Sequence, residues 1–216
     1  MRGKMKLPDR STFPGAKAKF PSMRAAFKEW AVVVDALGRG EQILILRKGG
    51  ISEGRGGFKL EYPRFLLFPT LFHQQRESVI PSAQARFDRI SRLFPSADKL
   101  RLEFFAETMF AERLQSLEQA NALRGQHVWR DEVITERFDW GREKAIFALG
   151  VRVYQLPLPI ELPMSPSYGG CKSWIELDHD IAIAGSKPVL GEHEFEQKLE
   201  QLRRALKQNS PTQVQV

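Results

Sequence analysis

Three short apolar runs constrain this chain more than any other feature of it. Ile43-Leu44-Ile45-Leu46 lies between glycines, Phe65-Leu66-Leu67-Phe68 ends at Pro69, and Ala145 to Leu156 is apolar on both faces until Arg152. Short β-branched and aromatic runs bounded by turn residues suit strands buried on both faces, which other elements must cover. None approaches the roughly twenty apolar residues of a spanning helix, because Arg64, Arg142 and Arg152 interrupt the best candidates. No membrane partner is expected.

The covering elements are legible around these runs. Phe27, Trp30, Ala31, Val34 and Leu37 recur at helical spacing and Gly38 to Gly40 stop the element, predicting a helix from about Ala25. Ala83 to Phe94 predicts a second helix closed by Pro95, and Leu114 to Leu123 a third. Asp131 is placed to cap a fourth running towards Arg137. Phe195, Leu199, Leu202 and Leu206 stripe one face of a charged helix over Glu192 to Gln208. Leu102, Phe104, Ala106, Thr108 and Phe110 alternate with Arg101, Glu103 and Glu107 as in a half-exposed strand. Prolines at 157, 159, 163 and 166 predict an extended segment that is no central strand, and Ser173 to Leu177 a last strand. This order predicts an α+β domain with a small, mixed or mostly antiparallel sheet.

Residues 23–208 read as one domain of that kind. Before it, residues 1–22 carry six cations against Asp9 with Pro8, Pro14 and Gly15 breaking any helical period, so a flexible basic arm is expected; residues 209–216 read as a disordered tail. The chain of 216 residues has a formal net charge of +7, a balance that favours anionic partners. A lone cysteine, Cys171, excludes an internal disulfide and a thiolate zinc cage and fits a reducing compartment. The basic N-terminus is followed by no apolar signal core, so a cytoplasmic location is expected.

Most motifs that invite a chemical reading fail on spacing. In the glycine-rich stretch Gly49 to Gly57, Arg55-Gly56 follows Gly54 where a phosphate loop needs Lys and then Ser or Thr. Glu143 and Lys144 are adjacent and would point to opposite faces of a strand, which removes a two-metal nuclease arrangement. Glu176, Asp178, His179 and Asp180 read as a charged turn after a strand, and no metal or cofactor is assigned. Cys171 could act as a thiolate beside His73 or His127, although a lone cysteine more often packs. Trp174 and Trp129 could stack a base, although tryptophans more often fill a core.

Glycine, a polar pair, an apolar strand and an arginine in that order resemble the motif G-x-K-T-x-E-x-R of the ASCH branch of PUA-like domains. Gly40 and Arg47 match its glycine and arginine in register. Leu123 to Glu132 resembles the helical segment before the long barrel strand, and Ala145 to Leu156 with Gly170-Cys171-Lys172-Ser173-Trp174 resembles the closing strands. The stretches ILILRKGGI, FLLFPT with the following HQ, and GGCKSWIEL with the following PVL resemble, from about Ala25 to Lys207, an uncharacterised bacterial family of unknown function.

The resemblance implies a small barrel of PUA-like (ASCH-like) type, decorated with helices, and a cleft at its mouth. It departs where the small amidohydrolases of that group do chemistry. Gln42 stands at the position of the motif's lysine and Ile45 has no hydroxyl, so that catalytic route has no support here. What the resemblance leaves is a cleft rimmed by Arg47 and Lys48, with Thr70, His73 and Gln74 as polar readers. The expected function is a nucleic-acid or nucleotide-binding module with RNA or another nucleic acid as partner. Arg47, Lys48, Arg137 and Arg152 would meet phosphates and Trp174 would stack a base. The alternative is a hydrolase or nuclease-type enzyme drawing on Glu53, His73, His127 and Cys171 in the same cleft.

Overall fold

The computed structural model describes residues 22–48, 58–141 and 144–208. The basic arm, the glycine stretch from Gly49 to Gly57 with Glu53, Glu143 and the tail from Asn209 lie outside the described residues. The elements run β1 (Ser22–Trp30), α1 (Ala31–Gly38), β2 (Leu44–Arg47), β3 (Arg64–Thr70), α2 (Pro81–Leu93), β4 (Lys99–Leu114) and α3 (Leu117–Asn121). They continue with α4 (Asp131–Asp139), β5 (Ile146–Pro163), β6 (Trp174–Ala182), β7 (Lys187–Pro188) and α5 (Glu192–Gln208). A 3₁₀ turn, His73–Ser78, joins β3 to α2.

The seven strands form one mixed sheet in the order β2-β5-β4-β3-β1-β6, with β7 paired to β5. Among the described residues only β1 and β3 pair in parallel; the other pairings are antiparallel. Laid flat, the path from β2 to β6 would span about 24 Å at the usual spacing of neighbouring strands. Yet the Arg47 side chain at the end of β2 donates from Nη2 to the hydroxyl of Ser173, just before β6, at 2.8 Å. The sheet is therefore curled until its two edges meet through a side chain. This is the expected α+β fold with helical decoration.

Two apolar clusters pack against the curled sheet, and consecutive residues of β1 divide between them: Phe27 enters the larger and Ala26 the smaller. The larger one takes α1 through Val33, Val34 and Leu37, and it takes the stripe Phe195, Leu199, Leu202 and Leu206 of α5. Gly40 ends the turn after α1 at φ +68°, where a Cβ would also overlap Leu190, so the turn needs its glycine on both counts.

Four expectations about the elements need correction. Ala25 to Trp30 is strand, and the helix begins only at Ala31. The helical spacing of Phe27, Trp30 and Val34 is a coincidence across a strand-to-helix junction, and pairing of β1 with both β3 and β6 outweighs it. β3 continues through Pro69 to Thr70, because β4 pairs it only at Arg64 to Leu66 and a proline beyond that point costs no bond to β4. β5 likewise runs through Pro157 and Pro159 to Pro163. Its partners on β4 jump from Gln155 opposite Phe104 to Ile160 opposite Leu102, so both prolines sit in a bulge. On its other side β7 reaches only Tyr154 and Gln155, leaving an edge where proline is tolerated. The third predicted helix shortens to Leu117–Asn121, because β4 extends to Leu114.

Candidate functional site

The junction that closes the sheet gathers most of the charge that the interior holds. Glu29, one residue from the end of β1, is 2% exposed. Its Oε1 accepts the Trp30 backbone N–H at 2.8 Å, and its carbonyl accepts the Thr70 hydroxyl at 3.2 Å. Burial pushes the Glu29 carboxyl above the usual carboxylate range, and Arg47 and Arg137 work against that rise. The two arginines reach it from opposite parts of the chain.

Arg47 arrives at the end of β2, donates from Nε and Nη2 to the buried Ser173 hydroxyl, and lies 5.3 Å from the Phe27 ring centre. Arg137 arrives from α4. Its guanidinium lies 4.0 Å from the Trp129 ring and 5.1 Å from the Trp30 ring, and those two indoles meet edge to face at 4.3 Å. Stacking on two faces offsets part of the lost hydration of a buried cation. Even so, burial pulls Arg137 down to about 10, with Glu29 raising it and Arg47 lowering it.

Two lysines extend the cluster. Lys48 donates from Nζ to the carbonyls of Phe138 and Ala145, both at 2.9 Å, tying the end of α4 to the start of β5. A cation at a helix C-terminus meets the negative end of its dipole. Lys28 donates to the Gly170 carbonyl at 3.0 Å. Burial lowers its pKa, and repulsion from Lys172 and Arg47 adds to the effect. Arg47 and Arg137 thus oppose the buried Glu29 carboxylate directly, Lys28 lies within electrostatic reach of Arg47 and Lys172, and Lys48 follows Arg47 just past β2.

The structure brings together Arg47, Lys48, Arg137 and Thr70 of the residues expected to form the site. His73 and Gln74 are exposed on the 3₁₀ turn just past Thr70. Arg152 lies elsewhere: it binds Glu192 at the start of α5 through Nη1 and Nη2, at 3.0 and 2.6 Å, and lies 5.0 Å from the Phe195 ring. Trp174 donates its indole N–H to the Lys59 carbonyl and is packed by Phe27, Phe58, Tyr62 and Phe65, with ring centres 4.9 to 6.1 Å away. Its faces serve that aromatic cluster. Lys28, Glu29 and Ser173 join the site from positions that no motif marks; for the first two, a charged Lys-Glu pair on a strand that must be buried is the signal. Two rings, Phe72 after β3 and Trp140 after α4, are also exposed, by 61% and 54%.

Of the residues suggested for catalysis, Cys171 is exposed and lies within electrostatic reach of Lys28. His127 is buried, and its Nδ1 accepts the Trp129 backbone N–H at 3.2 Å. Gln42 holds the same loop: its Oε1 accepts the Val128 N–H and its Nε2 donates to the Leu44 carbonyl. The position that carries the motif's lysine in the resembled group is here a buried tether. Among the described residues no group of three or more His, Cys, Asp or Glu is placed to hold a metal ion.

Burial pulls the His127 imidazole down to about 4 from 6.5, the repulsion of Arg137 and Arg124 adding to it. Between those values the unfolded chain binds a proton that the folded chain refuses. Stability is therefore full above pH 6.5 and falls as the pH drops towards 4, by about 3 kcal/mol in all from this group. Denaturant unfolding measured from pH 7 to pH 4 checks this, and His127→Gln is expected to flatten the slope.

A family model described as a domain of unknown function, DUF1802, matches residues 26–201. No curated protein matches the chain. Among solved structures, the crystal structure of ASCH from Zymomonas mobilis matches with 12% identity and a TM-score of 0.41, over 82% of this chain and 92% of that one. A serine-to-alanine mutant of the Zymomonas protein matches with 13% identity and a TM-score of 0.42, over 84% and 98%.

Proposed function

We propose that this chain, which belongs to the DUF1802 family, is a nucleic-acid or nucleotide-binding module of PUA-like type, with single-stranded RNA as the first partner to test. One observation carries the reading: Arg47 and Arg137 oppose the buried Glu29 carboxylate at the junction of the sheet edges, and Lys28 stands within electrostatic reach of both Arg47 and Lys172. Cations gathered in this way attract an anion to the junction. The exposed rings of Phe72 and Trp140 flank residues of the cluster in sequence, and aromatic faces beside a cationic groove suit unpaired bases. In this reading Lys28, Arg47, Lys48, Arg137 and Lys172 meet phosphates, and Thr70 supplies a hydroxyl. The protein's net charge of +7 works in the same direction by drawing in polyanions.

Filter-binding titrations against single-stranded and duplex RNA and DNA at two salt concentrations test the proposal. About four neutralised phosphates on a single strand predict that log affinity falls with log salt at a slope of roughly −3. Lys172→Glu, at an exposed position, is expected to weaken binding about tenfold or more. Affinity that is absent, or that ignores salt, overturns the reading. Cleavage of the bound RNA that disappears in Glu29→Gln would instead make the cluster the site of a nuclease, with the raised Glu29 carboxyl as its acid.

A further inference from the structure

A groove of about 560 Å³ opens between α1, the C-terminal half of α2 and the first residues of β4. None of the cations of the site above lines it. Its size falls within the range of pockets that enclose small organic molecules. Val34, Leu67, Ile90, Phe94 and Phe104 give it an apolar lining. The Phe104 ring is pressed onto Gly38, where a Cβ would overlap it, so that part of the wall is fixed by close packing against α1.

The charges at the groove are unequal. Arg39 is paired with Asp35 at 2.8 Å and Arg101 with Glu103 at 2.7 Å. Asp35 has a second arginine, Arg86, at 3.5 Å, and Arg86 also reaches Glu41. Both carboxylates that line the groove are therefore already met. Arg89, exposed on α2, also lines it and has neither an ion pair nor a hydrogen bond among the described residues. Beside Arg89 stands Leu93, which is 76% exposed. One cation is left over next to an apolar wall.

We propose that this groove binds a small amphipathic monoanion, a medium-chain acyl or aryl carboxylate, with its carboxylate on Arg89 and its apolar body against Ile90, Phe94 and Phe104. A neutral apolar ligand would leave Arg89 unmatched, and a dianion would meet Asp35 and Glu103 once the single free charge was satisfied. A concave site of this volume takes a free molecule; a lipid surface would meet its rim.

Anilinonaphthalene sulfonate, itself an aryl monoanion, is the probe. The full-length protein is expected to bind it saturably, with fluorescence enhancement reversed by decanoate and not by decyltrimethylammonium. Arg89→Glu is expected to weaken probe and decanoate binding about tenfold or more, and Leu93→Asp to weaken both while leaving the melting temperature close to that of the parent, since each side chain is exposed. No saturable binding, equal displacement by the cationic amphiphile, or unchanged affinity in Arg89→Glu overturns the proposal. Nucleic-acid affinity measured on the same variants stays at the parental value if the two sites are separate, so failure of one reading is distinguishable from failure of the other.

Discussion

Trp129→Ala is expected to cost about 3–5 kcal/mol of folding stability, the range found when a buried aromatic ring is truncated. Three observations place it there. The ring is 2% exposed and belongs to the larger apolar cluster. It meets Trp30 edge to face at 4.3 Å, a geometry that adds to simple burial. It also provides the nearer of the two faces on which Arg137 lies, at 4.0 Å, and a desolvated cation over indole adds on the order of 2 kcal/mol. The backbone of Trp129 should stay in place, because its N–H is held by His127 and its strand bridge to Val79 uses no side chain. The lesion is therefore a cavity beside a buried cation. Trp129→Phe keeps a face for Arg137 and should recover more than half of the loss. Urea unfolding of the three proteins checks this; a loss below about 1 kcal/mol in the alanine variant would mean that Trp129 is no part of the packed core. Because Arg137 loses its platform, RNA affinity should fall in the alanine variant under conditions where it is still fully folded.

The reason such a site was only partly legible from sequence lies in its contacts. Arg47 and Lys48 stood out because two cations end an apolar run, and their place at the end of β2 follows from that run alone. The partner of Arg47, Ser173, is 126 residues away, and no local pattern marks it. Arg137 reads in the sequence as a phosphate-contacting cation near the end of a helix; only the meeting of β1, α4 and the loop bearing Trp129 half-buries it against two indoles. The fold divides along the same line. α2, β4 and α5 follow from periodicity that a single face imposes, and β2 from its length and its glycines. β1 was hidden because its two faces enter different apolar clusters, Phe27 the larger and Ala26 the smaller, which erases the alternation that would distinguish it from a helix. β5 was hidden because its prolines fall in a bulge and along an edge, features of pairing rather than of composition.

Arg137→Leu should be as costly as the loss of Trp129, for an electrostatic reason, and its cost should depend on pH. Removing one member of a buried charged group leaves the remaining charge without compensation, typically at about 3–5 kcal/mol. Here the group left behind is Glu29, which keeps Arg47 but loses the second of the two cations that oppose its desolvation. The Glu29 carboxyl already lies above its ordinary value, so the folded protein holds its proton to higher pH than the unfolded chain does. Taking away Arg137 widens that gap. The cost of charged Glu29 is present above its folded-state pKa and is relieved as the pH falls through that value and the carboxyl protonates. Arg137→Leu should therefore be most damaging at pH 8 and least damaging at pH 5. Glu29→Gln supplies the neutral isostere permanently, so Arg137→Leu made in the Glu29→Gln background should lose only the stacking and packing of the guanidinium, with little dependence on pH. Chemical denaturation of the four proteins at both pH values closes a double-mutant cycle in which the His127 titration, which Arg137 alters equally in both backgrounds, cancels. A loss that is the same in both backgrounds and at both pH values would show that the tryptophans and the Leu46 carbonyl hold Arg137 without Glu29. The predicted coupling would show instead that Glu29 is the counter-charge which holds two half-buried arginines at the site until an external anion replaces or joins it.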